Sequence, residues 1–138
     1  MVARMLSGRY RTDRLTRHWT PSNPQGLCRL PGCGDQEGTL AHILLYCPAL
    51  SQSRFNMIRL WSSFMVSRPL LLLIISRYTI EEPEHMVQLI LDPTCLPLVV
   101  SSKKSAPEVL QHCLYLGRTC CLSTHTLRSR LLRENNLC

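Results

Sequence analysis

The strongest amphipathic pattern in the chain lies near its C-terminus. Small or apolar side chains recur there at helical spacing, as one buried face of a helix requires. Ser105 and Glu108 resemble the two ends of a capping box, in which both side chains accept hydrogen bonds from unpaired amides. We therefore predict a long C-terminal amphipathic helix from residue 105 to about Arg133. Its apolar stripe consists of Leu110, Cys113, Leu114, Gly117, Cys121, Thr124, Leu127 and Leu131.

Residues 49–66 predict a second amphipathic helix, because large apolar side chains recur there at spacings of three and four. These side chains are Phe55, Ile58, Trp61 and Met65. Four prolines divide the following region, residues 68–104. Within it, residues 70–75 fit a buried helix or a buried strand, and residues 84–91 fit a short helix.

The first fifty residues predict only short elements. A short helix should end near Arg17, and the proline- and glycine-containing stretch 20–26 is typical of a turn-rich linker. Residues 37–45 predict another short helix with an apolar face of Leu40, Ile43 and Leu44. That helix should end before Cys47. Pro48, which follows Cys47, stops this helix or begins the next one.

Three cysteines and one histidine follow this linker with the spacing Cys28-x4-Cys33-x8-His42-x4-Cys47. Thiolate and imidazole groups are the donors that zinc prefers, and four protein ligands leave no open position for a reacting water. Gly32 and Gly34 flank Cys33 and let the backbone turn around a metal. The alternative is three ordinary buried thiols and a hydrogen-bonded histidine. We predict one structural zinc site.

The chain is basic, with 16 Lys plus Arg against 9 acidic residues, and 14 of the cations are arginines. Arginine pairs with phosphate through two hydrogen bonds and stacks on bases, so this excess favours nucleic acid, RNA or DNA, as a partner. A solvated helix face explains the arginine run equally well. The candidate nucleic-acid-binding residues are Arg9, Tyr10, Arg11, Arg14, Arg17, Trp19, Arg29 and Arg54.

The cysteine content bears on the cellular compartment. Arginines interrupt the N-terminus where a signal peptide needs an apolar stretch, and the apolar run 70–75 is far shorter than the roughly 20 residues that span a bilayer. We expect an intracellular protein, nuclear or cytoplasmic and not secreted, whose cysteines stay reduced. Of the others, Cys113, Cys120 and Cys121 with His125 read as core residues rather than as a second metal site.

Residues 5–10, the cysteine pair and residues 40–48 together resemble the zinc-binding tail of reverse transcriptases from non-LTR (LINE-type) retrotransposons. The resemblance is sharp over residues 5–54 and weaker over residues 89–132. It implies zinc ligation by Cys28, Cys33, His42 and Cys47, and a nucleic acid or a polymerase domain as partner. Family members often have two residues between the first two cysteines, whereas this chain has four.

Nothing in the sequence matches the polymerase itself. The chain has no Asp-Asp pair and no carboxylates spaced to hold two catalytic metals, so we expect that it is not an enzyme on its own. A zinc-stapled module that binds a protein partner through its C-terminal helix, or a transposon relic without selected function, are the alternatives.

We predict a mainly α fold, in which a small zinc-stapled knuckle is followed by helices and ends in the long C-terminal helix. The expected divisions are residues 1–67, 68–104 and 105–138.

Overall fold

A computed structural model describes Met5, residues 10–102, Lys104 and residues 106–137, apart from the side chain of Cys95. Within these ranges the regular structure is helical, and β pairing is confined to one isolated antiparallel bridge between Leu27 and Glu37. The mainly α class is therefore confirmed. The α-helices of the described ranges are α1 (Asp13–Thr16), α2 (Ser51–Met65), α3 (Pro69–Ser76), α4 (Met86–Leu91), α5 (Pro97–Ser102) and α6 (Glu108–Glu134).

Short 3₁₀ and π turns connect these helices. Most of the 3₁₀ turns, and α3 and α5, begin at a proline, because a first helical position needs no amide hydrogen. The 70–75 region is thus a helix, and the alternative of a strand is wrong. The 3₁₀ turns are Arg17–Trp19, Pro48–Leu50, Pro83–His85 and Pro93–Cys95, and the π turns are His42–Tyr46 and Arg77–Glu81.

The long helix α6 forms the centre of the core and packs against α2 and α4. Gly117 marks the closest approach, since a Cβ at this position would lie 2.0 Å from the carbonyl oxygen of Ile90 in α4. Helix α2 also makes polar contacts with α6. Trp61 Nε1 donates to the carbonyl of Leu116 at 3.4 Å, and the hydroxyls of Ser53 and Thr124 lie 3.1 Å apart.

The buried face of α2 differs from the predicted one. Trp61 and Met65 are buried as expected, but Phe55 and Ile58 are each 57% exposed. The side chains that face the core recur every four residues and include a serine: Ser53, Met57, Trp61 and Met65. Ser53 can lie inside because its hydroxyl is hydrogen-bonded there, which no hydrophobicity pattern registers.

The stripe of α6 is likewise rotated from its predicted position. Leu110, Leu114, Leu127 and Leu131 are only half-buried at its edges. The centre of the stripe is taken by Val109, Cys113, Leu116, Gly117, Cys120, Cys121, Thr124, Arg128 and Leu132. The predicted helix itself is confirmed, although it begins at Glu108, and Ser105 of the expected capping box lies outside the described residues.

The N-terminal elements are short, as predicted. Thr12 caps α1 by accepting a hydrogen bond from Leu15 N at 3.1 Å. Helix α1 ends at Thr16, next to the expected end near Arg17, and a 3₁₀ turn follows to Trp19. The helix expected from residue 37 begins only at Leu40, because Glu37 is paired with Leu27 in the β bridge.

Candidate metal centre

The first two cysteines lie in a loop that closes on itself through the backbone. Cys28 N donates to the carbonyl of Gln36 at 2.8 Å, and Gln36 N donates to the carbonyl of Cys33 at 3.2 Å. Gly32 and Gly34 have φ angles of 86° and 57°, which side chains rarely adopt. The two glycines therefore let the loop turn sharply on both sides of Cys33.

His42 and Cys47 are brought together by a π turn. Cys47 N donates to the carbonyl of His42 at 2.7 Å, five residues back, and the backbone of Cys47 is extended. A turn closed over five residues is wider than an α-helical turn, so residues five apart come nearly onto one side. The expectation that helical structure ends before Cys47 is confirmed, whereas the π turn was not foreseen from the sequence.

The structure brings all four predicted ligands into one cluster, with ligand atoms that lie within 4.8 Å of one another. The Sγ atom of Cys47 is 3.4 Å from that of Cys33 and 3.9 Å from that of Cys28. Thiolates 2.3 Å from a tetrahedral metal would be about 3.8 Å apart. The distances from the Cys47 sulfur to the other two are thus close to those of a tetrahedral site.

The imidazole of His42 supplies the clearest sign that a metal fits. His42 is 5% exposed, and its Nε2 atom is buried without a hydrogen-bond partner. Buried polar atoms in proteins are nearly always paired, so an unpaired one beside three sulfurs requires an explanation. A metal ion bound to Nε2 would provide it.

The three clustered thiols perturb one another. The hydrogen bond to Cys47 and burial raise the pKa of Cys28, and burial raises the pKa of Cys33. The pKa of Cys47 is lowered, because its sulfur accepts the hydrogen bond from Cys28. Cys47 is also completely buried, so its sulfur is out of contact with water.

Two charged side chains attach the cluster to its surroundings. Arg54 of α2 donates to the carbonyl of Cys47. On the opposite side, Asp13 of α1 is only 2% exposed and accepts from Arg29 Nε at 2.7 Å and from Arg29 N at 3.2 Å. Asp13 was not among the predicted site residues, although it is the single acid within the N-terminal arginine run.

The predicted nucleic-acid-binding residues divide into two groups. Three of them have partners within the chain. Arg14 pairs with Glu37, Arg29 pairs with Asp13, and Arg54 donates to the carbonyl of Cys47. Arg11 and Trp19 are exposed, the latter by 75%, and Arg17 is half-buried beside His18. Arg9 lies outside the described residues.

Tyr10 corrects the expectation that its ring stacks on bases. It is 6% exposed and lies against α6, where its hydroxyl is 3.1 Å from His125 Nδ1. The guanidinium carbon of Arg128 is 5.7 Å from the centre of the ring. A base cannot reach a ring in this position, and burial accordingly raises the pKa of Tyr10.

The second cysteine pool lies inside the helical core. Cys113, Cys120 and Cys121 are buried along α6, and burial raises their pKa values to about 11, 12 and 11. These thiols are therefore protonated at neutral pH, and a protonated thiol is a weak nucleophile. Elsewhere, Glu82, Glu84 and His85 bring possible ligand atoms together at the surface, but Arg77 already pairs with Glu82.

The fold and site thus define a mainly helical chain with a buried cluster of three cysteines and one histidine. A comparison with models of known protein families finds no match, and searches of the curated proteins and of the solved structures find no similar protein either. In the described residues, no helix combines the length and the apolar character needed to cross a membrane.

Proposed function

We propose that the chain is a zinc-stabilised module that binds nucleic acid and has no catalytic activity of its own. The observation that carries the zinc assignment is the unpaired, buried Nε2 of His42, whose imidazole offers a ligand atom within 4.8 Å of three cysteine sulfurs. Three thiolates and one imidazole are a common closed ligand set for structural zinc. The ion would have no exchangeable water, so its role is to hold the fold.

The metal would organise three parts of the chain. Cys28 and Cys33 belong to the loop, His42 to the π turn, and Cys47 directly precedes the turn into α2. The Asp13–Arg29 contact then ties α1 to the same loop. A rigid loop would thus fix the position of the N-terminal segment that carries Arg11, Arg17 and Trp19.

Charge and exposure support nucleic acid as the partner. The net charge is +7, and the excess consists almost wholly of arginine. Among the described residues, Trp19 is the most exposed aromatic side chain, at 75%, and it lies in the arginine-rich N-terminal segment. An exposed aromatic ring among guanidinium groups is the combination that single-stranded nucleic acids recognise through stacking and phosphate contacts. The resemblance to retrotransposon reverse transcriptase tails suggests the same partner.

The zinc-loaded full chain provides the direct test. Fluorescence anisotropy should detect binding to labelled single-stranded RNA and DNA at 50 mM salt, with a steep loss of affinity by 200 mM because phosphate contacts release counterions. Trp19→Ala should weaken binding, whereas Tyr46→Ala, which changes an aromatic residue 66% exposed outside this segment, should not. Absence of binding at low salt would refute the nucleic-acid assignment.

One observation favours protein interaction as a second function. The apolar stripe of α6, which was the expected docking surface, is buried against α2 and α4 and is not available to a partner. The outer face of α2 instead exposes Phe55 and Ile58. If this face binds protein, Ile58→Glu should abolish self-association or partner binding in light scattering without changing zinc content. Protein interaction through this face is contradicted if the unchanged chain is monomeric and if Ile58→Glu binds nucleic acid as well as the unchanged chain does.

A further inference from the structure

A basic groove separates the N-terminal segment from the last turns of α6. It has a volume of about 640 Å³, and arginines from both sides line it together with hydroxyl-bearing residues. Residues from distant parts of the sequence meet here, so Arg11 and Arg29 from the first part of the chain and Arg128 and Arg133 from α6 line one surface. The lining includes Arg11, Arg29, Arg128, Arg133, Thr16 and Ser129.

The groove has an excess of positive charge. Two of its four arginines share one carboxylate, that of Asp13, which lies 2.7 Å from Arg29 Nε and 3.9 Å from Arg128 Nη2. Arg11 and Arg133 are exposed, and among the described residues no carboxylate pairs with either of them. Arginines without acidic partners around one groove favour the binding of an anion.

Arg128 provides an independent sign that a ligand belongs in the groove. It is 6% exposed, and its Nε atom is buried without a hydrogen-bond partner. The carboxylate of Asp13 reaches only the terminal nitrogen of Arg128, at the long distance of 3.9 Å. A buried guanidinium group with an unused donor, in a groove lined by three further guanidinium groups, lacks an acceptor that an anion would supply.

The hydroxyls of the groove define which groups remain free to bind. Thr16 and Thr20 donate to the backbone carbonyls of Thr12 and Thr16, at 3.0 and 3.1 Å, so neither hydroxyl hydrogen is free for a ligand. The guanidinium groups are then the main donors. Guanidinium groups match the geometry of a phosphate, which accepts two parallel hydrogen bonds from each fork.

We infer that the groove binds a backbone phosphate of single-stranded nucleic acid, with Arg128 as the buried donor and Arg11 and Arg133 as the outer ones. This inference rests on the proposed nucleic-acid-binding function and adds a site on α6 to it. Trp19 is outside the groove lining but lies in the sequence between Thr16 and Thr20, which belong to it, and its ring is 75% exposed. We assign to this ring the stacking of a base next to the bound phosphate.

The test compares two exposed arginines of α6. Arg133→Gln removes a groove charge, and Arg118→Gln removes the same charge about 22 Å away along the helix, outside the groove. In anisotropy measurements on the zinc-loaded full chain, Arg133→Gln should weaken oligonucleotide binding at least about fivefold. It should also reduce the slope of log affinity against log salt by about 0.7. Arg118→Gln should leave both quantities near those of the unchanged protein.

An NMR measurement of the Arg128 side chain completes the test. In ¹H–¹⁵N NMR spectra, inorganic phosphate, pyrophosphate or an oligonucleotide should each shift the Nε–H signal of Arg128, and the oligonucleotide should also shift the indole N–H of Trp19. Arg128 itself need not be mutated, which avoids loss of its buried contact with Asp13.

The outcomes separate this inference from the function on which it rests. Oligonucleotide binding that is equal in the two variants, with an unmoved Arg128 signal, overturns the groove site and leaves nucleic-acid binding intact. An Arg128 signal that responds to phosphate or pyrophosphate, without oligonucleotide binding, overturns nucleic acid as the source of the phosphate and overturns the proposed function with it.

Discussion

Asp13 and Arg29 form a contact that joins the first helix to the candidate metal loop. The Oδ1 atom of Asp13 lies 2.7 Å from Arg29 Nε, and Oδ2 accepts from Arg29 N at 3.2 Å. Gly38 makes room for this carboxylate, because a Cβ there would lie 2.6 Å from the Cβ of Asp13. The same aspartate faces Arg128 of α6, so one buried acid connects the N-terminal segment, the loop and the C-terminal helix.

Replacement of this acid should therefore destabilise the whole chain. Asp13→Asn keeps the shape of the side chain but leaves Arg128 buried without a carboxylate, and we expect the free energy of unfolding to fall by roughly 2–4 kcal/mol. Urea titration followed by circular dichroism measures the change. Glu37→Gln is the matched control: its pair with Arg14 is half-exposed, so its loss should cost less than about 1 kcal/mol. Equal effects of the two substitutions would contradict a structural role for Asp13.

Loss of a ligand should abolish metal binding and reduce helicity. Cys47→Ser removes the central sulfur of the cluster, and structural zinc sites contribute on the order of 10 kcal/mol to folding in small domains. Purified protein should contain one zinc ion per chain and Cys47→Ser none, as measured by elemental analysis. Cys113→Ala changes a buried cysteine outside the cluster and should retain the zinc. A circular dichroism spectrum that strong chelator leaves unchanged would refute the structural role of the metal.

The crossing of α6 over α4 should depend on the absence of a side chain at Gly117. In Gly117→Ala the new methyl group meets the carbonyl oxygen of Ile90 at 2.0 Å, so the helices must separate. Overpacking of this kind typically costs about 1–3 kcal/mol, and it opposes the gain in helix propensity that alanine would otherwise bring. Leu122→Ala, on the exposed side of the same helix, should change stability by less than about 0.5 kcal/mol. Thermal unfolding distinguishes the two variants. A Gly117→Ala variant more stable than the unchanged protein would show that α6 and α4 leave room for a methyl group at their crossing.

The observed face of α2 can be tested with two adjacent residues. Met57 is 7% exposed and Ile58 is 57% exposed, so Met57→Ala should lower the free energy of unfolding by about 2–4 kcal/mol and Ile58→Ala by well under 1 kcal/mol. The sequence pattern predicts the reverse order. Denaturant unfolding of both variants therefore decides between the two registers of this helix.

Local spacing was sufficient to predict most helices and the cluster of three cysteines and one histidine. The four residues were recognisable because cysteine and histidine have few other reasons to cluster within twenty residues beside two glycines. Helix α6 was recognisable because 27 residues supply several periods of the same apolar repeat. Short elements such as α1 and the π turn at His42 carry no such repeat, so their bounds and form were predicted poorly.

The sequence by itself thus determined which residues are able to bind a metal and which stretches are able to form helices, because both depend on neighbours along the chain. Only the tertiary structure decided that Tyr10 is buried, that Arg29 is paired with Asp13, and that Phe55 faces outward. Each of these outcomes depends on a partner far away in the sequence, such as α6 for Tyr10. Side-chain periodicity cannot specify such a partner, because burial and ion pairing are set by the elements that the fold brings together.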